Sequence, residues 1–188
     1  SRDDSFQQEV ERSRRERRIF TLKTEKIITE LLEQMTLDEK IGMVHGNGLF
    51  QNKGVERLGI PSMKFSDGPM GVRNEFQNDK WIPLGNTDDY VSYLPSNSAI
   101  ASTWDVDVAY EVGKVLGAEA RGRGKDMILA PGINIKRSPL CGRNFEYLSE
   151  DPVLTAEMAV ALIKGIQQND VAACVKHFVA NNQETNRL

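Results

Sequence analysis

The chain has 188 residues, which is long enough for one domain with a hydrophobic core. Apolar residues make up 39% of the sequence and charged residues 27%, as is usual in globular proteins. The net charge of −3 provides no broad basic surface, which argues against binding to nucleic acid or to anionic membranes. No apolar run is long enough to cross a membrane, so no membrane-spanning helix is predicted.

Two cysteines, Cys141 and Cys174, are too few for a disulfide framework, and their positions lack the spacing of metal ligands. Cys174 lies within an apolar run, which predicts a small buried side chain. Free thiols and the absence of a recognisable signal peptide favour the cytoplasm over a secreted or periplasmic location. The chain starts with serine rather than methionine, which leaves the removal of a leader open.

Residues 1–24 are predicted to be an N-terminal lead to a single domain that covers residues 25–188. Six arginines in the first eighteen residues are offset by five acidic residues, a mixture typical of a solvated or fraying helical segment. Apolar residues at helical spacing then predict a helix over residues 25–34. Another helix is predicted from Thr36, because Thr36 and Glu39 have the form of a capping box.

Four short apolar runs are predicted to be strands. They cover residues 63–65, 98–103, 127–130 and 171–175. Polar segments follow the strands, and the long polar segment over residues 74–97 is expected to be a functional loop.

Helices are predicted between the later strands. One runs from residue 105 to about residue 123, with an apolar side formed by Val108, Val112, Val115 and Leu116. The other starts where Asp151 caps a helix with Pro152 at its first position. Its buried face is predicted to consist of Leu154, Met158, Leu162 and Ile166.

The alternation of strands and helices predicts an α/β fold with a parallel sheet. Because the polar segments follow strands, the pattern is typical of a TIM-type (β/α)8 barrel, whose ligands gather at the carboxyl ends of the strands. Four strand–helix units correspond to roughly the first half of such a barrel. The chain is therefore expected to be the N-terminal part of a longer domain.

Four motifs carry a resemblance to a known family. They are MTLDEKIG from Met35, SDGPMGVR from Ser66, GRNFEYLSEDP from Gly142 and KHFVANNQETNR from Lys176. In this order they resemble the N-terminal barrel domain of glycoside hydrolase family 3, in its β-glucosidase branch. The family's N-acetylhexosaminidases continue differently after the Lys-His-Phe triplet, so the resemblance favours a β-glucosidase or a β-xylosidase.

The resemblance implies a subsite that binds one terminal sugar of a β-glucoside or of a short β-linked oligosaccharide. The residues it implies for contacts with sugar hydroxyls are Asp67, Arg73, Arg143, Lys176 and His177. A supporting group that holds these side chains in position is implied at Asn144, Glu146, Glu184 and Arg187. Charged partners suit this task, since hydroxyls both donate and accept and charged groups make the stronger hydrogen bonds.

Each residue also has an ordinary structural interpretation. Asp67 fits a turn, Arg143 a surface arginine and Lys176 a solvated lysine. His177 fits a hydrogen-bonded core histidine, and Glu146 fits an ion pair. The joint occurrence of the motifs in the family's order favours the binding site over these separate explanations.

The resemblance implies a retaining, exo-acting β-glycosidase that uses a carboxylate nucleophile and a separate acid/base. In the family the nucleophile lies in a Ser-Asp-Trp-like motif, which this sequence lacks, and the acid/base glutamate lies in a later domain. We therefore expect no catalytic carboxylate in this chain. The family's chemistry requires no metal or cofactor.

Two further interpretations remain open at this stage. The chain could be a catalytically inactive piece that binds sugar or serves in assembly, or an unrelated α/β domain that binds another small ligand. A half-barrel also exposes a sheet edge. We therefore expect partnership with the missing half of the barrel and the C-terminal domain, or self-association through that edge.

Overall fold

The computed structural model describes residues 20–85 and 90–187. Residues 1–19 of the predicted N-terminal lead lie outside the described residues. The chain divides into two compact units. The described part of the first unit comprises residues 20–45 and 54–61. The remaining described residues form the second unit.

The first unit contains helix α1 over residues 20–34 and helix α2, Leu37–Met43. The predicted capping box at the start of α2 is confirmed, because Thr36 Oγ1 accepts from the Glu39 amide at 3.3 Å and Glu39 accepts from the Thr36 amide at 2.8 Å. Arg57 donates to the same carboxylate at 2.6 Å. This hydrogen bond lowers the pKa of Glu39 to about 2.

The second unit contains a parallel sheet of three short strands. They are β1, Phe65–Asp67, β2, Met127–Leu129, and β3, Ala172–Ala173. The strand order is β1-β2-β3. The α/β class and the parallel pairing are thus confirmed, and the carboxyl ends of all three strands lie at one edge.

The predicted strand over residues 98–103 is wrong. Helix α3, Asn97–Ala101, takes its place, with Ser96 Oγ accepting from the Ala99 amide at 3.2 Å. Asn97 and Ile100 are buried on its inner side. Short apolar runs fit a strand or a buried helical turn equally well, and here the N-cap serine selects the helix. The described sheet therefore has three strands where the sequence predicted four.

Two long helices cover one face of the sheet. Helix α4 is Val106–Gly122 and helix α5 is Pro152–Gln167, close to their predicted bounds. The predicted cap of α5 is confirmed, since Asp151 Oδ1 accepts from the Val153 amide at 2.7 Å. The inner face of α5 is buried as predicted at Met158, Leu162 and Ile166.

The face that α4 turns inward agrees only in part with its predicted apolar side. Leu116 is buried as predicted, and Val112 is partly buried against the core. Val108 and Val115 are 39% and 42% exposed. The other buried residues of α4 are small ones that the hydrophobic pattern did not single out: Ala109, Gly113, Gly117 and Ala120. Small residues let the two helix backbones approach closely, so backbone proximity rather than side-chain hydrophobicity selects this face.

The core lies between the sheet and these helices. Ile128 in the central strand is fully buried and packs with Leu116, Ile166 and Val171. Cys174 is only partly buried, against the prediction, because it follows the outer strand β3 of the described sheet. Among the described residues, no helix is long and apolar enough to cross a membrane.

Candidate functional site

The site lies where the chain leaves the three strands. Strand β1 ends at Asp67, and β3 is followed by Lys176 and His177. The segment after β2 is tied to this end of β3, since the Lys176 amide donates to Pro131 O at 3.0 Å and the Ile133 amide donates to Lys176 O at 2.8 Å. The sheet therefore brings residues that are far apart in sequence to one edge.

Asp67 is the carboxylate at the centre of the site. Its Oδ1 accepts from Lys176 Nζ at 2.8 Å and from the Gly68 amide at 2.9 Å, and its Oδ2 lies 3.5 Å from Arg73 Nη1. Burial raises the pKa of Asp67, but the hydrogen bond and charge of Lys176, with the charge of Arg73, outweigh it and hold the pKa below the ordinary value. Asp67 is thus ionised at neutral pH and is a strong acceptor.

The turn after Asp67 depends on glycine. Gly68 has φ +127°, and a Cβ on it would lie 1.7 Å from the carbonyl oxygen of Gly71. The Arg73 amide closes the turn by donating to Asp67 O at 3.0 Å. Only glycine fits this close approach, which places Asp67 and Arg73 side by side.

Glu146 is a buried carboxylate that joins two of the cations. It accepts a short hydrogen bond from Arg143 Nε, and its other oxygen lies 3.6 Å from Lys176 Nζ. Its side chain is only 5% exposed. Lys176 therefore lies between two carboxylates, Asp67 and Glu146, which fix its ammonium group. Glu146 has the contacts expected of the supporting group.

His177 is held in one orientation by its two neighbours. Its Nε2 lies 2.9 Å from Arg143 Nη2, which can only donate, so Nε2 accepts. The proton is then on Nδ1, which lies 2.7 Å from Tyr147 Oη. Burial, followed by the charges of Arg143 and Lys176, lowers the pKa of His177, so the ring is neutral at pH 7.

The other residues predicted for the supporting group lie further from Asp67. Asn144 Nδ2 donates to Ser138 O at 2.7 Å and so fixes the loop that precedes Arg143. Glu184 pairs with Arg187 at 2.8 Å. A hydrogen bond from Arg187 lowers the pKa of Glu184 despite burial, and the charge of Arg143 adds a smaller effect in the same direction. These residues stabilise segments beside the site.

The motifs did not predict Tyr147 or three aromatic residues that contact predicted site residues. Tyr147 is buried, and its hydroxyl lies between His177 and Asn181. Asn181 Nδ2 donates to this hydroxyl at 2.7 Å. The position of Tyr147 directly after Glu146 in a polar segment was the available signal. The three aromatic residues that the motifs did not predict lie around Arg73 and are Phe50, Phe76 and Trp81.

Four of the five predicted contact residues, which are Asp67, Arg73, Arg143 and Lys176, line a pocket of about 470 Å³, within the size range of small-molecule sites. The fifth, His177, lines a different pocket together with Lys176. Asp67, Arg73, Arg143, Glu146 and Lys176 contribute the polar groups of the first pocket. This arrangement places carboxylate acceptors beside several charged donors, which suits a polyhydroxylated ligand. In the described part of the chain, no three His, Cys, Asp or Glu side chains are grouped so that they could hold a metal ion.

Residues 47–186 match the model of the Glycosyl hydrolase family 3 N terminal domain. The chain belongs to glycoside hydrolase family 3. It is 46% identical to Thermostable beta-glucosidase B of Acetivibrio thermocellus over 161 residues, which cover 86% of this chain and 21% of that protein. It is 46% identical to a beta-glucosidase of Bacteroides ovatus over 157 residues, which cover 84% of this chain and 21% of that protein.

A solved structure of beta-glucosidase 3B from Thermotoga neapolitana in complex with alpha-D-glucose is also similar. The TM-score is 0.75 at 44% identity, over 85% of this chain and 24% of that chain. The family 3 resemblance deduced from the four motifs is thus confirmed. The chain spans about a fifth of the length of the curated relatives it matches.

The partly buried His177 gives a pH-dependent expectation. His177 should titrate below the ordinary value of about 6.5, because burial and the neighbouring cations disfavour its charged form. The unfolded chain then binds more protons than the folded chain. The contribution of neutral His177 to stability is therefore complete above the unfolded pKa and is lost as the pH falls through the folded pKa.

The chain has two histidines, so a His45→Gln variant leaves His177 as the only imidazole. Its titration can then be followed by proton NMR without assignment of overlapping signals. We expect a midpoint below that of a histidine in a short reference peptide. A midpoint equal to or above the reference would contradict the hydrogen bonds and charges described for this ring.

Proposed function

We propose that this chain forms the sugar-binding half of a retaining, exo-acting β-glucosidase. The observation that carries the proposal is the ionised Asp67, which Lys176 holds at 2.8 Å at the carboxyl ends of β1 and β3, beside Arg73. Its support comes from the family membership and from relatives named beta-glucosidases. A similar solved structure holds glucose, which favours a glucoside as the ligand.

In this proposal the nonreducing-end sugar occupies the pocket beside Asp67. Asp67 accepts hydrogen bonds from sugar hydroxyls, and Arg73, Arg143 and Lys176 donate to them. Neutral His177 is oriented by Arg143 and Tyr147, so the ring adds a contact without a second charge. Glu146 keeps the two neighbouring cations in place. These contacts promote catalysis to the extent that they strengthen as the sugar ring distorts toward its transition state.

The catalytic carboxylates belong to segments of the longer protein beyond this chain. A retaining glycosidase needs a nucleophile and an acid/base about 5–5.5 Å apart. The carboxylates near the pocket, Asp67 and Glu146, both form ion pairs with neighbouring cations. They suit binding and positioning. The contribution of this chain to the reaction is therefore orientation of the sugar.

The fold in the proposal is the first part of a (β/α)8 barrel. Val175, Phe178 and Val179, which follow β3, are 38%, 98% and 72% exposed. Exposed apolar side chains beside an outer strand promote the aggregation of an isolated protein. We infer that the next strand and helix of the longer protein cover them. Self-association is the alternative when the chain is alone.

The test compares this chain with a protein extended through the rest of the barrel and the C-terminal domain. Both are assayed for hydrolysis of an aryl β-D-glucoside and of the matching aryl β-D-xyloside. We expect hydrolysis by the extended protein only, with the glucoside preferred. Hydrolysis by the 188-residue chain itself would contradict the proposed position of the catalytic groups. A preference for the xyloside would contradict the proposed sugar.

A further inference from the structure

The Arg73 guanidinium is surrounded by three aromatic rings. Its central carbon lies 4.9 Å from the ring centre of Trp81, 5.3 Å from that of Phe76 and 5.5 Å from that of Phe50. All three distances are within the range of cation–π attraction. We call Phe50, Phe76 and Trp81 the aromatic cage.

The rings of the cage also pack against one another. Trp81 meets Phe50 edge to face at 5.5 Å and 89°, and it meets Phe76 at 5.5 Å and 70°. Such perpendicular contacts are a favoured arrangement of aromatic pairs. Trp81 is therefore the central ring of the cage, although its side chain is 60% exposed.

Backbone hydrogen bonds fix the cage relative to the sheet. The Phe65 amide, in the first residue of β1, donates to Phe50 O at 2.7 Å. The Leu49 amide donates to Asn78 O at 2.7 Å, which joins the segment of Phe50 to that of Phe76. The Gln77 amide donates to Ile82 O at 3.0 Å and closes the turn that carries Trp81. The rings are thus held by the strand that ends at the site.

Arg73 needs such a support because its ion pair is weak. Lys176 is hydrogen bonded to Oδ1 of Asp67 at 2.8 Å, whereas Arg73 Nη1 is 3.5 Å from Oδ2, which is long for a hydrogen bond. A long arginine side chain held only by that contact would keep much of its rotamer freedom. Rings beside a guanidinium restrict it and leave its edge N–H groups available to a ligand.

We propose that the aromatic cage is a positioning device that holds Arg73 ready to donate to a sugar hydroxyl. Phe50, Phe76 and Trp81 act through Arg73 and do not need to touch the sugar. The benefit is preorganisation, because the ordering of Arg73 precedes binding. This inference rests on the proposed function, since it gives the cage a role in that same sugar site.

A purely structural role makes a different prediction. If the rings only closed the loop over residues 74–85, their loss would perturb the site whatever residue stood at position 73. If the rings act through Arg73, their loss lowers kcat/KM only while Arg73 is present. The two roles are therefore separated by the coupling between a cage residue and Arg73, which a double-mutant cycle measures.

The cycle is made in the extended protein with Trp81→Leu, Arg73→Met and the double variant. We expect Trp81→Leu to lower kcat/KM for the aryl β-D-glucoside about tenfold in the wild-type background, and less than about twofold in the Arg73→Met background. Trp104→Leu is the matched control, since Trp104 is also exposed, at 75%, and lies outside the cage. It should leave kcat/KM unchanged. Equal losses in both backgrounds would overturn the proposal.

A second measurement does not require hydrolysis. The chain has two tryptophans, so Trp104→Phe leaves Trp81 as the only tryptophan fluorophore. In this single-tryptophan chain, Arg73→Met should change the emission of Trp81, and addition of glucose should change it only while Arg73 is present. Unchanged emission on both counts would overturn the cage as a positioning device.

The two measurements also separate the two proposals. An extended protein without glycosidase activity would contradict the proposed function. A glucose-dependent emission change that Arg73→Met abolishes would still support the cage as a device for sugar binding. An active extended protein whose kcat/KM is insensitive to Trp81→Leu would instead support the proposed function and overturn the cage.

Discussion

Replacing Asp67 by asparagine should lower kcat/KM of the extended protein for an aryl β-D-glucoside by about 10²–10³-fold. Asp67 is the ionised acceptor of the pocket, and hydrogen bonds to charged groups are the stronger ones. The substitution keeps the shape of the side chain but removes its charge. It also leaves Lys176 without its nearest carboxylate, at 2.8 Å, so an ordered donor loses its partner.

Asp170→Asn is the matched control for this substitution. Asp170 pairs with Arg121 at 3.3 Å and is fully exposed just before β3, at the opposite end of that strand from Lys176. The kcat/KM of the Asp170→Asn variant should equal that of the wild type. Thermal unfolding of both variants separates loss of binding from loss of folding. A value for Asp67→Asn within about threefold of the wild type would contradict the sugar-binding role of Asp67.

Replacing Gly165 by alanine should destabilise the second unit by about 3 kcal/mol or more. A Cβ on Gly165 would lie 2.2 Å from the carbonyl oxygen of Tyr110 in α4, closer than atoms can approach. Gly113 makes the reciprocal contact, because its Cβ would lie 2.3 Å from Leu162 O in α5. Backbone atoms cannot turn away as a side chain can, so the two helices must separate.

The control for this prediction is Gly122→Ala at the end of α4. A Cβ there meets open space, and alanine favours the helix over glycine by up to about 1 kcal/mol. Denaturant unfolding of the wild type, Gly165→Ala and Gly122→Ala gives the three free energies of unfolding. Gly165→Ala with the stability of Gly122→Ala would contradict the close contact of α4 and α5.

The sequence determined the features that rest on local hydrogen bonds. The capping box of Thr36 and Glu39 and the cap of Asp151 join atoms two or three residues apart, so their residue types suffice to predict them. The motifs at the ends of β1 and β3 likewise identified the family and predicted Asp67 and Lys176 as site residues. The structure then brings these two together, with their charged atoms 2.8 Å apart.

The tertiary structure decided the features that depend on which surfaces approach each other. The run over residues 98–103 became part of a helix because the Ser96 cap and the buried side of that helix suited it, although its composition also fits a strand. Helix α4 turned Gly113 and Gly117 inward, and left Val108 and Val115 exposed, because α5 packs directly against its backbone. Periodicity records hydrophobicity along one element and contains no information about its neighbour.

The same distinction applies within the site. Arg73 was predicted from its motif, but the aromatic cage around it was not, since Phe50 lies on the other side of β1 in sequence. Tyr147 gained its place from a hydrogen bond to His177, thirty residues later. The sequence by itself predicted which charged groups line the candidate site. Only the tertiary structure decided which neutral groups contact them, because those contacts form when distant segments pack together.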